Sequence, residues 1–392
     1  MSSWKPLLKG SERAAALDAV STVCAWLGTE APPAAVDCAM AAVLLQEVAE
    51  SKLVDVDEDR PAELLEQSFQ LAPAERSVFA LHEGAMAAAW AATHLRGRAW
   101  DADEDPAADL DEALLDHLRA PCWEEPYDII SGLAGVAVYM LDKAERSATA
   151  RAALPEIVRH FDALSEDMGD GRRRWITRSG HHDARDPAGG PLCLIAPSHG
   201  VTGVLVVLSE LAARGIERER SDFLLRQGLA WLLDQRLPDT ERSTFGQFAG
   251  DPDPTTISWC HGDIGTSNAL WLAGALAGAS DWQAEAATIA ARTAILTPGD
   301  AADVTTRCVC HGSVGAGLLF HMLAVRTGDE RFAASARAWY ASTLTSPLRQ
   351  NQTFLMGAIG VALALHAAVD ARFPRWTRIL ALSSPALDEA RR

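Results

Sequence analysis

The sequence predicts an all-α chain, built from a repeated helical hairpin that closes into a two-layered barrel. Three observations carry this expectation. Segments rich in Ala, Leu and Arg, with apolar residues three and four apart, fill most of the chain. Strand-like alternation of β-branched residues is scarce. One phrase recurs six times: usually a polar residue, then Gly, two residues, Gly or Ala, and an apolar run.

Taken in order, Ser11–Leu27 reads as a helix with a serine cap, and Pro33–Glu47 as a second with proline in its opening turn. The phrase begins as HEGAMAAAW from His82 and returns as SGLAGVAVYM from Ser131 and HGVTGVLVVL from His199. It follows again as HGDIGTSNALWL from His261, HGSVGAGLLF from His311 and MGAIGVALAL from Met356. Between copies, Asp222–Asp234 and Asp281–Ile295 read as helices on spacing and propensity. The first glycines, Gly84, Gly132, Gly200, Gly262, Gly312 and Gly357, lie 48, 68, 62, 50 and 45 residues apart. Each interval holds about two helices with their connections, the size of a helical hairpin. The uneven spacing places insertions in loops, chiefly residues 169–191 and 250–258. A glycine pair one turn apart leaves a bare face for close helix approach and permits unusual dihedrals at the helix entry.

The bulk properties bound the function. Hydrophobic residues make up 48% and charged residues 22%, as in a globular domain, and we expect a single domain over 1–392. A net charge of −18 without a basic stripe argues against a nucleic-acid partner. Apolar runs such as 132–141 and 358–368 are too short for a membrane span, and the first residues lack a signal-peptide core. A cytoplasmic location is the default. Seven cysteines, an odd number, suit reduced thiols or metal ligands better than a disulfide framework.

Three copies of the phrase carry His directly before the first glycine: His199, His261 and His311. Two also carry the preceding cysteine, giving Cys260-His261-Gly262 and Cys310-His311-Gly312. If all copies open equivalent inner helices, these side chains meet at one mouth of the barrel. Zn²⁺ is bound by thiolate and imidazole in tetrahedral geometry, and a catalytic site leaves one position open. Cys260, Cys310 and His311 would supply three ligands, leaving the fourth to water or a thiol kept nucleophilic at neutral pH. Cys24, Cys38, Cys122 and Cys193 read as core filling. Cys308 reads as a bystander, with a substitute ligand as its alternative. His181 and His182 sit in a polar loop, and His82 and His321 read as structural. Asp128 is either a helix N-cap or a carboxylate at the same mouth that orients a group or moves a proton.

These phrases resemble the lanthionine synthetase C-like family, the lanthipeptide cyclases. The matching residues are YDIISGLAG (127–135), SHGVTG (198–203), SWCHGDIG (258–265), CHGSVG (310–315) and FLMGAIGVALAL (354–365). With the weaker copy near His82 they span roughly three quarters of the chain. The resemblance implies an α,α-toroid of about seven inner and seven outer helices holding one zinc. Six inner helices are marked; the seventh would lie in the first 60 residues or be split between the termini. The implied reaction is Michael-type addition of peptide cysteine thiols to dehydroalanine or dehydrobutyrine, giving lanthionine and methyllanthionine. The family's zinc ligands carry over onto Cys260, Cys310 and His311, and its acid-base pair onto His199 and Asp128. On that resemblance His199 takes the thiol proton or protonates the enolate, with Asp128 assisting.

Two positions depart from part of the family. His261 stands where some free-standing cyclases have Tyr, and Thr256 where some have Arg. If that Arg anchors the pocket's acid, another group must serve here, Arg307 being the candidate. With no kinase or dehydratase segment recognisable, the chain resembles a free-standing cyclase, with a dehydrated precursor peptide as substrate and a separate dehydratase to prepare it. Two alternatives stand beside this reading. One is a relative that adds a small thiol such as glutathione to dehydrated residues. The other is a non-catalytic peptide-binding scaffold, whose zinc would be closed by His261 or Cys308.

Overall fold

The computed structural model describes residues 4–72, 79–82, 84–177, 192–239, 241–301, 304–345 and 347–389. In chain order the helices are α1 (Gly10–Thr29), α2 (Ala35–Ser51), α3 (Arg60–Leu71), α4 (Met86–Leu95), α5 (Ala108–Leu118), α6 (Leu133–Lys143) and α7 (Ala148–Leu164). They continue as α8 (Val201–Ala213), α9 (Arg218–Leu233), α10 (Asp263–Ala277), α11 (Ser280–Thr293), α12 (Ser313–Thr327), α13 (Glu330–Thr343) and α14 (Ala358–Val369). A 3-10 turn, Arg375–Leu380, and a short helix α15, Pro385–Glu389, close the chain.

Burial alternates from helix to helix, and composition explains why. The even-numbered helices α2 to α14 are apolar nearly all round and buried on almost every face; the HGSVGAGLLF run of α12 is buried from Ser313 to Leu323. The odd-numbered helices carry one apolar stripe. In α1 it is Ala16, Val20, Val23, Cys24 and Leu27, spaced three and four residues apart, with the other faces in solvent. Among the described residues, six of the seven all-buried helices follow the glycine phrase. The seventh is α2, which lacks the phrase and was left open by the motif alone.

Several boundaries differ from the expectation. The first helix starts at Gly10, with Lys9 as its N-cap, so Ser11 lies inside the first turn and caps nothing. Pro33 precedes the N-cap Ala34 of α2 instead of lying in its opening turn. The α9 helix begins four residues before Asp222 because Arg218–Ser221 are good helix formers or tolerated in a first turn. A two-stranded antiparallel hairpin, β1 (Ser165–Asp167) with β2 (Arg173–Trp175), occupies the start of the expected loop insertion. Its inward residue Trp175 is buried and donates its indole N–H to the Phe161 carbonyl at 2.9 Å. His181 and His182 lie outside the described residues.

Cα proximity divides the chain into two compact units, each assembled from three stretches. The first comprises residues 1–107, 256–259 and 293–376. Within it α12, α14, α2 and α4 pack as successive neighbours, with α13 on α12, α1 on α14 and α3 on α2. The N-terminal segment is fastened here: Trp4 donates to the Ala367 carbonyl at 3.0 Å, and His321 donates to the Lys5 carbonyl at 2.9 Å. The second unit comprises residues 108–255, 260–292 and 377–392. Within it α6, α8 and α10 are successive neighbours, with α7 on α6 and α9 on α8. Buried Arg378 ties the C-terminal segment to this unit through Asp142 of α6 at 2.7 Å and Glu210 of α8 at 2.6 Å.

Candidate active site and metal centre

The turns that precede α6, α8, α12 and α14 explain the glycine phrase there. None of the helices α6, α8, α10, α12 and α14 has a side-chain cap at its glycine N-cap. Before α6, α8, α12 and α14 the loop instead folds back so that its own carbonyls receive the first-turn N–H groups. Leu133 and Ala134 donate to the Pro126 and Tyr127 carbonyls, and Val201 and Thr202 to those of Leu194 and Ile195. Ser313 donates to Thr306, and Gly315 to Cys308. A Cβ on Gly132, Gly203, Gly315 or Gly360 would overlap a carbonyl oxygen six residues upstream: Pro126, Pro197, Val309 or Phe354. The bare face thus serves the chain's own preceding turn, more than a neighbouring helix. The N-cap glycines have ordinary extended dihedrals, such as φ −109° at Gly312, so unusual backbone geometry is not the reason for them.

These fold-back turns present the chemistry. His199 Nδ1 lies 2.9 Å from Asp128 Oδ2, and Asp128 Oδ1 accepts the Ser131 N–H at 2.8 Å. Asp128 is buried and His199 half-buried. Asp128 is not the N-cap of α6, which is Gly132; it works as a partner to the imidazole. The His261 ring lies 6.4 Å from that of His199, tilted by only 25°. The turn before His199 is tied to both neighbours. Ser198 accepts the Ile129 N–H on its carbonyl at 3.1 Å and donates its hydroxyl to the Cys260 carbonyl at 2.9 Å.

Cys260, Cys310 and His311 each offer one ligand atom, all within 4.8 Å of one another. Among the described residues no other group of three His, Cys, Asp or Glu meets that condition. Cys310 is held on both sides: its carbonyl accepts the Trp259 N–H at 3.0 Å, and its own N–H donates to the Leu355 carbonyl at 3.1 Å. Cys260 is buried, while Cys310 and His311 are half-buried. Cys308 is buried with its sulfur 3.3 Å from the Thr306 hydroxyl, and it stands outside the group of three. Two sulfurs and one imidazole nitrogen form a donor set suited to zinc.

The sequence profile of the family described as "Lanthionine synthetase C-like protein" matches residues 39–381. The chain belongs to the lanthionine synthetase C-like family. Its structure also resembles that of nisin cyclase, with a TM-score of 0.68 at 15% sequence identity. That likeness covers 88% of this chain and 90% of the other. It shows the fold, an α,α-toroid, as the repeated phrase and the resemblance led us to expect. No protein with a curated description matches the sequence.

Within this lanthionine synthetase C-like chain, some expected residues lie elsewhere. The Arg307 guanidinium donates to the Pro347 carbonyl at 2.9 Å, and the Asp128 carboxylate is held by Ser131 and His199. Thr256, at the position of the missing Arg, donates its hydroxyl to Ser258. Cys122 is exposed, not core, because the segment after α5 runs over the surface. Cys24, Cys38 and Cys193 are buried as expected, and burial pushes the Cys24 and Cys193 thiols up to about 12, which keeps them inert.

One residue at the site was passed over in the sequence. Asp263, the first residue of α10, accepts the backbone N–H groups of Thr244 and Phe245 and so anchors the segment that leads toward Cys260. Burial pushes its carboxyl up to about 6 although those donors oppose the shift. In the sequence it reads as an ordinary acid in a helical first turn. Its partners lie 18 and 19 residues upstream, where nothing in the pattern points to them.

Proposed function

We propose that this chain is a zinc-dependent lanthipeptide cyclase, a single cyclase domain over 1–392. It adds peptide cysteine thiols to dehydroalanine or dehydrobutyrine and closes lanthionine and methyllanthionine rings. The observation that carries the reading is the convergence of Cys260, Cys310 and His311 within 4.8 Å. The Asp128–His199 pair supports it, as does family membership. Three ligands suit a catalytic zinc better than a structural one, since a structural site takes four. Cys308 lies outside the group, which speaks against the closed scaffold site.

Zinc held by Cys260, Cys310 and His311 would supply a Lewis acid that favours the thiolate form of an incoming thiol. The proton is handled by the chain's own groups. Asp128, as carboxylate, accepts Nδ1–H of His199 and leaves the neutral ring's lone pair on Nε2. There the imidazole takes the thiol proton. The sulfur electron pair forms the C–S bond at the β-carbon, the alkene pair moves into an enolate, and His199 returns the proton to the α-carbon. Nothing is lost or gained, so product and substrate have equal mass.

The same chemistry implies the partners. The substrate is a dehydrated precursor peptide, and its alkenes must come from a separate dehydratase. Among the described residues no helix is long and apolar enough to cross a membrane. We assign the chain to the cytoplasm, a reducing compartment that suits an odd number of cysteines kept as thiols or metal ligands.

The test is metal analysis together with free-thiol titration of a dehydrated, cysteine-containing peptide, with Cys310→Ala beside the wild type. The reading expects about one zinc per chain, loss of peptide thiols without mass change, and neither in the variant. Thiols that stay free while zinc is bound would overturn peptide cyclisation. If added glutathione then joins the peptide, the small-thiol alternative replaces it.

A further inference from the structure

The site has two halves, a metal half and a proton-transfer half, and one buried hydroxyl links them. Ser198 is 1% exposed and sits between them in the chain's hydrogen-bond pattern. Its carbonyl accepts the N–H of Ile129, the residue after Asp128. The next residue in sequence is His199, whose Nδ1 meets Asp128. Its hydroxyl, alone among these contacts, reaches across to the carbonyl of Cys260 at 2.9 Å. Asp128, Ser198, His199 and Cys260 all belong to one compact unit.

We propose that Ser198 is the positioning residue that registers Cys260 against the Asp128–His199 pair, so that metal affinity depends on its hydroxyl. A peptide carbonyl fixed at a metal-ligating cysteine fixes the direction of that residue's Cα–Cβ bond. Remove the donor and the Cys260 carbonyl loses that bond, while Cys310 keeps its bonds to Trp259 and Leu355. One ligand of three is then less firmly placed before the metal arrives. Outer hydrogen bonds of this kind set metal affinity by about 10–100-fold when removed. The proposal rests on the reading of Cys260, Cys310 and His311 as zinc ligands.

The experiment measures zinc affinity by competition with a chromophoric chelator, and the thiolate-to-metal absorption of the cobalt(II)-loaded protein. The proteins compared are wild type, Ser198→Ala, Ser198→Thr and Ser198→Val. Threonine and valine differ at this buried position only by the hydroxyl, so their comparison holds even if the alanine protein does not fold. The expected result is zinc affinity about 10–100-fold weaker in the Ala and Val proteins, with altered cobalt absorption, and recovery of both by Thr. Equal affinity and equal spectra in Thr and Val, or in Ala and wild type, would overturn the role of Ser198 while leaving the metal site intact. A wild-type protein that binds neither ion overturns the metal reading, and this proposal with it.

Discussion

At the scale of single residues, the Asp128–His199 contact makes a separable demand on the chemistry. The pair lies on the turns before α6 and α8, neither of which carries a proposed metal ligand. We expect His199→Ala to keep its zinc and to slow cyclisation by about 10²–10⁴-fold, the usual contribution of a positioned acid-base group. Asp128→Asn should keep zinc too, with a smaller loss, since an amide can still hold the ring but no longer fixes its tautomer as a carboxylate does. Single-turnover mass spectrometry after alkylation of free thiols measures both. Zinc loss in His199→Ala would mean that the two halves cannot be separated. Cys260, Cys310 and His311 were legible in the sequence because each sits at a fixed offset from a glycine that repeats. Ser198 and Asp263 were not legible as site residues, because their bonds depend on which distant main-chain groups the fold delivers to them.

At the scale of elements, the fold-back turn is the unit on which the site is built. The glycines admit the turn, and before α12 the turn places Cys310 two residues and His311 one residue ahead of the N-cap Gly312. Gly315 shows the coupling: a methyl group there would overlap the Val309 carbonyl, one residue before Cys310. Gly315→Ala should therefore cost about 1–3 kcal/mol of stability, as overpacking usually does, and should also weaken zinc binding by displacing Cys310. Denaturant unfolding and chelator competition on one preparation check the two effects. Gly328→Ala is the control: no atom lies within 4 Å of its Cβ, but φ is +74°, so any loss there comes from backbone strain and leaves zinc affinity unchanged. The phrase announced a close approach; what approaches is the chain's own loop, since backbone carbonyls carry no side-chain signature. The α2 helix was harder to recognise as the seventh buried helix, because it opens after Pro33 and Ala34 without a glycine turn.

At the scale of the whole molecule, buried polar groups tie the chain ends down and set a pH limit. His321 packs against Trp4 with ring centroids 3.8 Å apart and the rings tilted by 30°. Burial holds its imidazole down at about 3, the bond to the Lys5 carbonyl opposing only in part. In the unfolded chain the same ring takes its proton near pH 6.5. Between those values the unfolded state binds more protons, so stability should fall as pH drops from about 6.5 toward 3 and be unaffected by this group above that window. His321→Gln, which cannot titrate, should make that decline shallower by at most about 1.4 kcal/mol per pH unit. Urea unfolding from pH 4 to 7 measures it, and equal slopes would show that His321 is not the group responsible.

The main chain at Cys310 has one more consequence. With its N–H given to Leu355 and its carbonyl taken by Trp259, the peptide on either side is held by the fold itself. What freedom the sulfur retains is rotation about a single bond, with three staggered wells. Capturing the proposed ion would then amount to selecting one rotamer, where an unstructured loop would have to surrender roughly 1–2 kcal/mol for every residue it orders. The entropy of assembling this ligand is lost when the protein folds, and little of it is left to be lost on binding.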